Sequence, residues 1–276
     1  MEEKSFEKLV AEQIELAKKG VITFSDAGRL IRDYFNSGAW SPYRYTINQI
    51  KKRHGEDKDI FIYDYGCGSG RLIMALKCAG YYNSYGGDIV EKFDNRLFDN
   101  LGFGKNTFQL IKENKIPFTD EKFNLVTSNE VVEHVFDHDN YYSEASRVLK
   151  SGGLFIVHAP QRLQPYDTHS RCWFIHYFPR KIRIFLWDIF SNQGGRYLES
   201  YLNLKTINYQ RKISLKYFSK MILLTEDKIR AKNFIVYKGN SILRNLASLL
   251  MDLPIIGKLF SSFFAILSSA EFHLIK

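Results

Sequence analysis

The chain of 276 residues is poor in cysteine and proline, with three of one and six of the other. Cys67, Cys78 and Cys172 are odd in number and match no zinc or thioredoxin spacing, which excludes a disulfide framework. They read as reduced thiols of a cytosolic protein. No stretch reaches the ~20 uninterrupted apolar residues of a spanning helix. The nearest runs from Leu259 to Ala270, between Lys258 and Glu271, and is too short. The opening MEEKSFEKLV is acidic and lacks an apolar segment, so a signal peptide is not expected. Internal repeats and low-complexity tracts are missing as well. What is present is 45% hydrophobic and 15% aromatic, enough for one or two packed domains and incompatible with global disorder.

Charge is divided unevenly. Residues 1–150 carry 21 Lys and Arg against 23 Asp and Glu, a net of −2. Residues 151–276 carry 18 against 7, a net of +11. The basic half implies an anionic partner, a membrane surface or a nucleic acid, or else a solvated face.

Residues 1–58 read as an N-terminal helical segment. Ser5, Ser25 and the pair Ser41-Pro42 are candidate helix starts. From Asp59 the periodicity changes. Buried strands are expected at 59–64, 85–89, 107–111, 123–128 and 153–159, alternating with helices at 71–79, 91–101 and 131–149. That alternation predicts an α/β fold with a parallel sheet and helices on both faces. Residues 161–232 form an irregular, aromatic and basic insertion. Residues 233–276 read as a strand, an apolar helical stretch over 241–268 and a last strand at 272–275.

The turn Asp64-Tyr65-Gly66-Cys67-Gly68-Ser69-Gly70-Arg71 lies between a strand and a helix. Its glycines permit a tight turn and close approach of a ligand to the backbone. A dinucleotide fingerprint would place glycine where Arg71 stands. The observed acid-x-Gly-x-Gly-x-Gly pattern instead suits a ligand with an ammonium group beside an adenosine. Asp88, in Gly86-Gly87-Asp88, ends the next strand, where an acid can accept both ribose hydroxyls or cap the following helix. The run Ile116-Pro117-Phe118-Thr119-Asp120-Glu121-Lys122-Phe123 and the turn Arg147-Val148-Leu149-Lys150-Ser151-Gly152-Gly153 follow in order.

These segments resemble motif I, the "LPF" run and the "RVLKPGG" turn of class I S-adenosylmethionine-dependent methyltransferases of the type 11 group. The resemblance covers about residues 59–160. It implies a Rossmann-like seven-stranded sheet with an N-terminal helical cap and a C-terminal amphipathic helical insertion. It also implies S-adenosyl-L-methionine as cofactor, held by Asp64, Gly66, Gly68, Gly70, Asp88 and Asn129. The family often meets the adenine amine with an Asp just before the LPF run. Here Glu113 or Asn114 takes that place, and Asn124 replaces the usual Asp at the head of the fourth strand.

The sequence Asn129-Glu130-Val131-Val132-Glu133-His134 is unlike the Asn-Pro-Pro-Tyr type used on nucleobase amines. On a helix, Glu130, Glu133 and His134 would share a face and could bind a divalent cation, which lowers the pKa of a bound hydroxyl. The spacing resembles the metal motif of ubiquinone-pathway O-methyltransferases and plant small-RNA 2′-O-methyltransferases. Alternatively, His134 lines the cofactor pocket or acts as general base. His169 and His176 are further candidates for general base, or for completing the metal site. Their surroundings resemble an acceptor lid in methyltransferases of bacterial polysaccharide and O-antigen clusters.

The second half mixes cations with Trp, Phe and Leu, the composition of interfacial helices, or of helices packed on a sheet edge. The reading is a cytoplasmic O-methyltransferase, peripheral at the inner membrane face. Its acceptor is a hydroxyl on a glycan, lipid-linked saccharide or other amphiphile. Alternatives are a quinone-pathway methyltransferase, an RNA 2′-O-methyltransferase or a non-catalytic cofactor-binding module. Nucleic acid is the less favoured partner, because the aromatics cluster in apolar runs instead of alternating with lysines.

Overall fold

A computed structural model describes residues 6–38, 43–225 and 269–276. The expected helix starts at Ser5 and Ser41, the strand before 239 and the apolar helical stretch over 241–268 lie outside the described residues.

The chain opens with helices α1 (Phe6–Lys18), α2 (Phe24–Asn36) and α3 (Tyr43–His54). The start of α2 corrects the sequence reading. Thr23, not Ser25, is the N-cap, and its hydroxyl accepts the Asp26 N–H at 3.0 Å. Then come β1 (Ile62–Tyr65), α4 (Arg71–Cys78), β2 (Ser84–Asp88), α5 (Asn95–Asn100), β3 (Phe108–Leu110) and β4 (Phe123–Asn129). They are followed by α6 (His138–Val148) and β5 (Leu149–Ala159). A small hairpin, β6 (Tyr166–Asp167) with β7 (Cys172–Trp173), precedes α7 (Arg180–Phe190), α8 (Gly195–Tyr201) and α9 (Ile207–Ser214). The described chain closes with β8 (Lys220–Leu223) and β9 (Ala270–Ile275).

Seven strands form one mixed sheet in the order β3-β2-β1-β4-β5-β9-β8. Strand β1 runs parallel to β2 and β4, and β2 parallel to β3, while β9 is antiparallel to both β5 and β8. This is the expected Rossmann-like sheet. Strand β1 is buried at every residue, as a strand covered on both faces is, and Asp64 is the one charged residue in it.

The fold divides into two compact units. One comprises residues 1–127 and 147–153, the other 128–146 and 154–276. In the first, Tyr63, Phe118 and Phe123 pack ring to ring at 5.0–5.6 Å. Arg147 joins two of the motif segments, donating to the carbonyls of Ile116 (2.8 Å) and Phe118 (2.9 Å) and to the Asp120 carboxylate (2.7 Å). Asn124 Oδ1 accepts the Phe61 N–H, a structural role for the residue that departs from the family pattern.

In the second unit, Trp187 packs with Cys172, Ile175, Leu198 and Leu202. Arg180 and Arg183 of α7 clamp Glu199 of α8 at 2.8 and 2.7 Å.

Gly28 in α2 gives a sharp test of packing. In an open helix, Gly→Ala gains about 1 kcal/mol from propensity. Here a Cβ would stand 2.0 Å from the Leu101 carbonyl oxygen. Overpacking of this kind costs about 1–3 kcal/mol, and a backbone atom yields poorly. Gly28→Ala is therefore expected to lower the denaturation midpoint. A raised midpoint in urea titration would refute the contact.

Candidate functional site

The glycine turn after β1 takes its shape from left-handed backbone. Gly66, Gly68 and Gly70 have φ of 83°, 52° and 78°. The N–H groups of Gly66 and Cys67 both donate to the Gly87 carbonyl, which ties the turn to the end of β2. The three glycines serve different needs. At Gly70 a Cβ would stand 2.2 Å from the Phe108 ring, so this glycine permits helix-to-sheet packing. At Gly68 a Cβ would meet nothing within 4 Å, so that side of the turn is open.

Two carboxylates flank the turn. Asp64, in β1, is buried, and its Oδ1 accepts one hydroxyl, Thr127 Oγ1, at 2.9 Å. Burial pushes its pKa up to about 7, the Thr127 hydroxyl opposes the shift and the Asp88 charge adds to it. Asp88 accepts the Gly68 N–H at 2.8 Å on one oxygen and the Val90 N–H at 3.1 Å on the other. A carboxylate has about four acceptor positions, so two remain for a diol. Asp88 does not cap a helix. The next one, α5, starts later and is capped by Asp94. Glu113 and Asn114 occupy an exposed left-handed turn, each with φ of 53°, between the bridged residues Lys112 and Lys115. Sequence reasoning missed Thr127. Its signal was a hydroxyl residue directly after the apolar pair Leu125-Val126 of β4.

The second unit gathers the histidines. The helix face expected to carry Glu130, Glu133 and His134 does not form. Glu130 is left-handed, with φ of 54°, and only residues 132–134 make a single 3-10 turn. Glu130 instead pairs with His158 Nδ1 at 3.0 Å. Asn129 ends β4, half-buried. Glu133 is 1% exposed, and neither carboxylate oxygen has a hydrogen-bond partner. Burial, then the charge of Glu130, raises its pKa well above the usual carboxylate range. His134 Nε2 stands 3.8 Å from it.

His134 Nδ1 lies 3.1 Å from the Tyr201 carbonyl, which can only accept. Nδ1 therefore carries the proton and Nε2 presents a lone pair. His169 is arranged alike, with Nδ1 3.3 Å from Asp167 Oδ1. One ligand atom from each of Glu133, His134 and His169 falls within 4.8 Å of the others. These three, with His169 in place of Glu130, are the group able to hold a metal among the described residues.

Asp167 is buried in β6 and collects donors. Burial acts upward on its pKa, but hydrogen bonds from His169, His176 and Ser170 hold it well below the usual carboxylate range. His176 is itself buried, with Nε2 3.5 Å from Asp167 Oδ2.

Residues 63–157 match the type 11 methyltransferase model, described as a methyltransferase domain. Among curated proteins, the chain is 27% identical over 107 residues to a "probable S-adenosylmethionine-dependent methyltransferase" of Mycolicibacterium smegmatis, covering 34% of this chain and 40% of that protein. It is 30% identical over 118 residues to a sterol 24-C-methyltransferase of Gibberella zeae, covering 39% and 29%. The chain thus spans less than half the length of the curated relatives it matches. The solved YcgJ protein of Bacillus subtilis is 14% identical, with a TM-score of 0.47 over 84% of this chain and 98% of that one. Over the segment from Tyr63 to Val157, the chain is thus similar to the methyltransferase domain of the S-adenosylmethionine-dependent methyltransferases of the type 11 group.

Proposed function

We propose that this protein transfers the methyl group of S-adenosylmethionine to a hydroxyl on a glycan, a lipid-linked saccharide or another amphiphile. The observation that carries the cofactor reading is Asp64. A carboxylate buried with one hydroxyl donor is unstable as an anion and becomes stable beside a cation. The ammonium group of the cofactor is such a cation. Asp88 takes the ribose hydroxyls with its remaining acceptor positions. The open side of Gly68 admits the cofactor to the backbone, and Gly66 and Gly70 hold the turn in shape. Glu113 or Asn114 meets the adenine amine, and Asn129 completes the cofactor set.

When bound, the cofactor supplies a methyl group already activated on a sulfonium. In-line placement then does much of the work. A sugar hydroxyl has a very high pKa, so its proton needs an acceptor. His169 Nε2 is the base in this reading. Asp167 holds Nδ1–H, fixes the tautomer and stabilises the imidazolium that forms. His134 is the companion base candidate. The buried His176 serves through Asp167 and does not touch the hydroxyl.

Cofactor affinity then depends on pH in a defined direction. Below about pH 7 Asp64 is protonated in the free protein and must lose its proton to meet the ammonium. Affinity in calorimetry is expected to rise between pH 5.5 and 7.5, approaching tenfold per unit at the acid end. Asp64→Asn should flatten that rise and weaken binding at pH 7.5 by tenfold or more. Asp88→Ala should weaken binding without removing the pH dependence. An unchanged pH profile in Asp64→Asn sinks the assignment.

A second reading rests on the orphaned Glu133. Glu133, His134 and His169 could hold a divalent cation, with Tyr201 and Asp167 orienting the imidazoles as outer partners of metal ligands do. The cation would lower the pKa of the acceptor hydroxyl in place of a base. Chelation should then abolish methyl transfer, and one divalent ion should restore it in the wild type but not in Glu133→Gln. Full activity in chelator selects the base mechanism.

The acceptor's setting in this proposal is an anionic membrane surface. Ile182, Phe185 and Ile189 recur at helical spacing along α7, Phe178 lies just before it, and all four are exposed, with Phe185 and Phe190 63% and 69% open. Arg171 and Lys181 are exposed nearby. Apolar side chains beside cations suit the interface, where each cation adds about 1 kcal/mol near anionic lipid. Among the described residues no helix is long and apolar enough to cross a membrane. The protein should float with phosphatidylserine vesicles and less with neutral ones, and Phe185→Ser with Ile189→Ser should abolish flotation. Equal flotation of wild type and double variant would remove the membrane from the proposal.

A further inference from the structure

A cavity of about 170 Å3 lies in the second unit, lined by Arg162, His176, Arg183, Trp187, Glu199 and the segment 202–205. That is well above the roughly 10–15 Å3 a single water requires. Two of its lining residues carry a buried nitrogen with no hydrogen-bond partner: Arg183 Nε and Trp187 Nε1. Both are always N–H donors. Trp187 is 1% exposed, so solvent does not satisfy its indole. Buried donors without acceptors are costly, and two at one cavity call for a ligand made of acceptors.

The charges of the lining agree. Arg162, Arg183 and Lys205 contribute three positive charges, and the single acid, Glu199, is engaged by Arg180 and Arg183 at 2.8 and 2.7 Å. Arg183 also stacks over the Trp187 ring, with its Cζ 5.2 Å from the centroid. Its fork is thereby fixed, with one nitrogen on Glu199 and Nε left over. The backbone N–H of Arg162 donates to the Lys205 carbonyl, which holds the two cationic residues together. A carboxylate ligand has two acceptor oxygens. A phosphoryl group has three, spread in three directions, and matches Arg geometry better.

We propose that this cavity binds the phosphoryl group of an organic phosphate, with Arg162, Arg183 and Lys205 as its counter-charges and Trp187 Nε1–H as a neutral donor. The proposal rests on the methyltransferase reading only in taking that phosphate as part of the methyl acceptor. The acceptor is then a phosphorylated amphiphile, its phosphate anchored away from the hydroxyl that receives the methyl group.

The test is calorimetry on the full chain with phenyl phosphate, inorganic phosphate and acetate, at constant low salt. Phenyl phosphate should bind more tightly than inorganic phosphate, and acetate should bind weakest. Lys205→Gln and Arg162→Gln should each weaken phenyl phosphate about tenfold, as loss of a charge-assisted contact does. Arg162 is exposed and Lys205 partly so, neither forms an ion pair among the described residues, and S-adenosylmethionine affinity in the same variants reports that the fold is kept. Failure of phenyl phosphate to bind overturns the proposal, as does binding that neither substitution changes. Acetate as tight as phosphate, or inorganic phosphate tighter than the ester, also overturns it. S-adenosylmethionine binding fails independently. Its loss with phenyl phosphate binding retained would remove the acceptor assignment and leave the phosphoryl site.

Discussion

The structure of the first unit depends on keeping one carboxylate out of water. Asp64 sits inside a parallel sheet at the point where the chain must leave β1 for α4. Burying a charge there requires compensation, and among the described residues the hydrogen bond it receives is that of the Thr127 hydroxyl. The turn that follows the acid is made of uncharged parts: three left-handed glycines, a carbonyl that ties the turn to β2, and an aromatic ring pressed against Gly70. In the proposed reading, the missing compensation comes from the cofactor. The same glycines that make the turn small enough to bury Asp64 leave the side of Gly68 open, where a ligand can approach.

That constraint is local, which is why it was legible. The acid, the glycines and Asp88 lie within 25 consecutive residues, and each spacing is set by backbone geometry alone. The strands around them were legible for a related reason, since a buried parallel strand is apolar along much of its length. The histidine cluster was harder. Three residues at i, i+3 and i+4 look like one helix face, but the chain needs a left-handed residue at Glu130 to leave β4. The helical periodicity never starts there, so Glu130 turns to His158, and His169 takes its place from a loop 35 residues beyond His134. Thr23 displaced Ser25 because a cap is chosen by where the helix begins, and both hydroxyls suited the composition. The cavity in the second unit was invisible. Its lining is scattered from Arg162 to Lys205, and no periodicity or spacing joins those residues before α7 and α8 pack.

Charge asymmetry was legible as a number and acquires structure in part. Some of the basic surplus in the second half is spent internally, as in the clamp of Arg180 and Arg183 on Glu199. Another part lines the cavity, where Arg162 and Lys205 form no ion pair among the described residues. A net charge therefore says little until each cation is assigned a partner.

Three buried carboxylates show how such assignments separate structure from function. Asp167 receives donors from Ser170, His169 and His176, and its ionised form is strongly favoured. It is complete without a ligand, so its work is to hold the imidazoles. Asp64 receives a single hydroxyl, and its pKa is pushed up to about 7. It is balanced between two states and can be tipped by a cation. Glu133 receives no donor, and its charged form is disfavoured most clearly. Burial alone does not distinguish these groups, because all three are nearly removed from solvent. The number of donors does. An acid supplied with donors is settled in its charged form, and an acid deprived of them is not. The orphaned nitrogens of Arg183 and Trp187 are the same argument with the sign of the charge reversed.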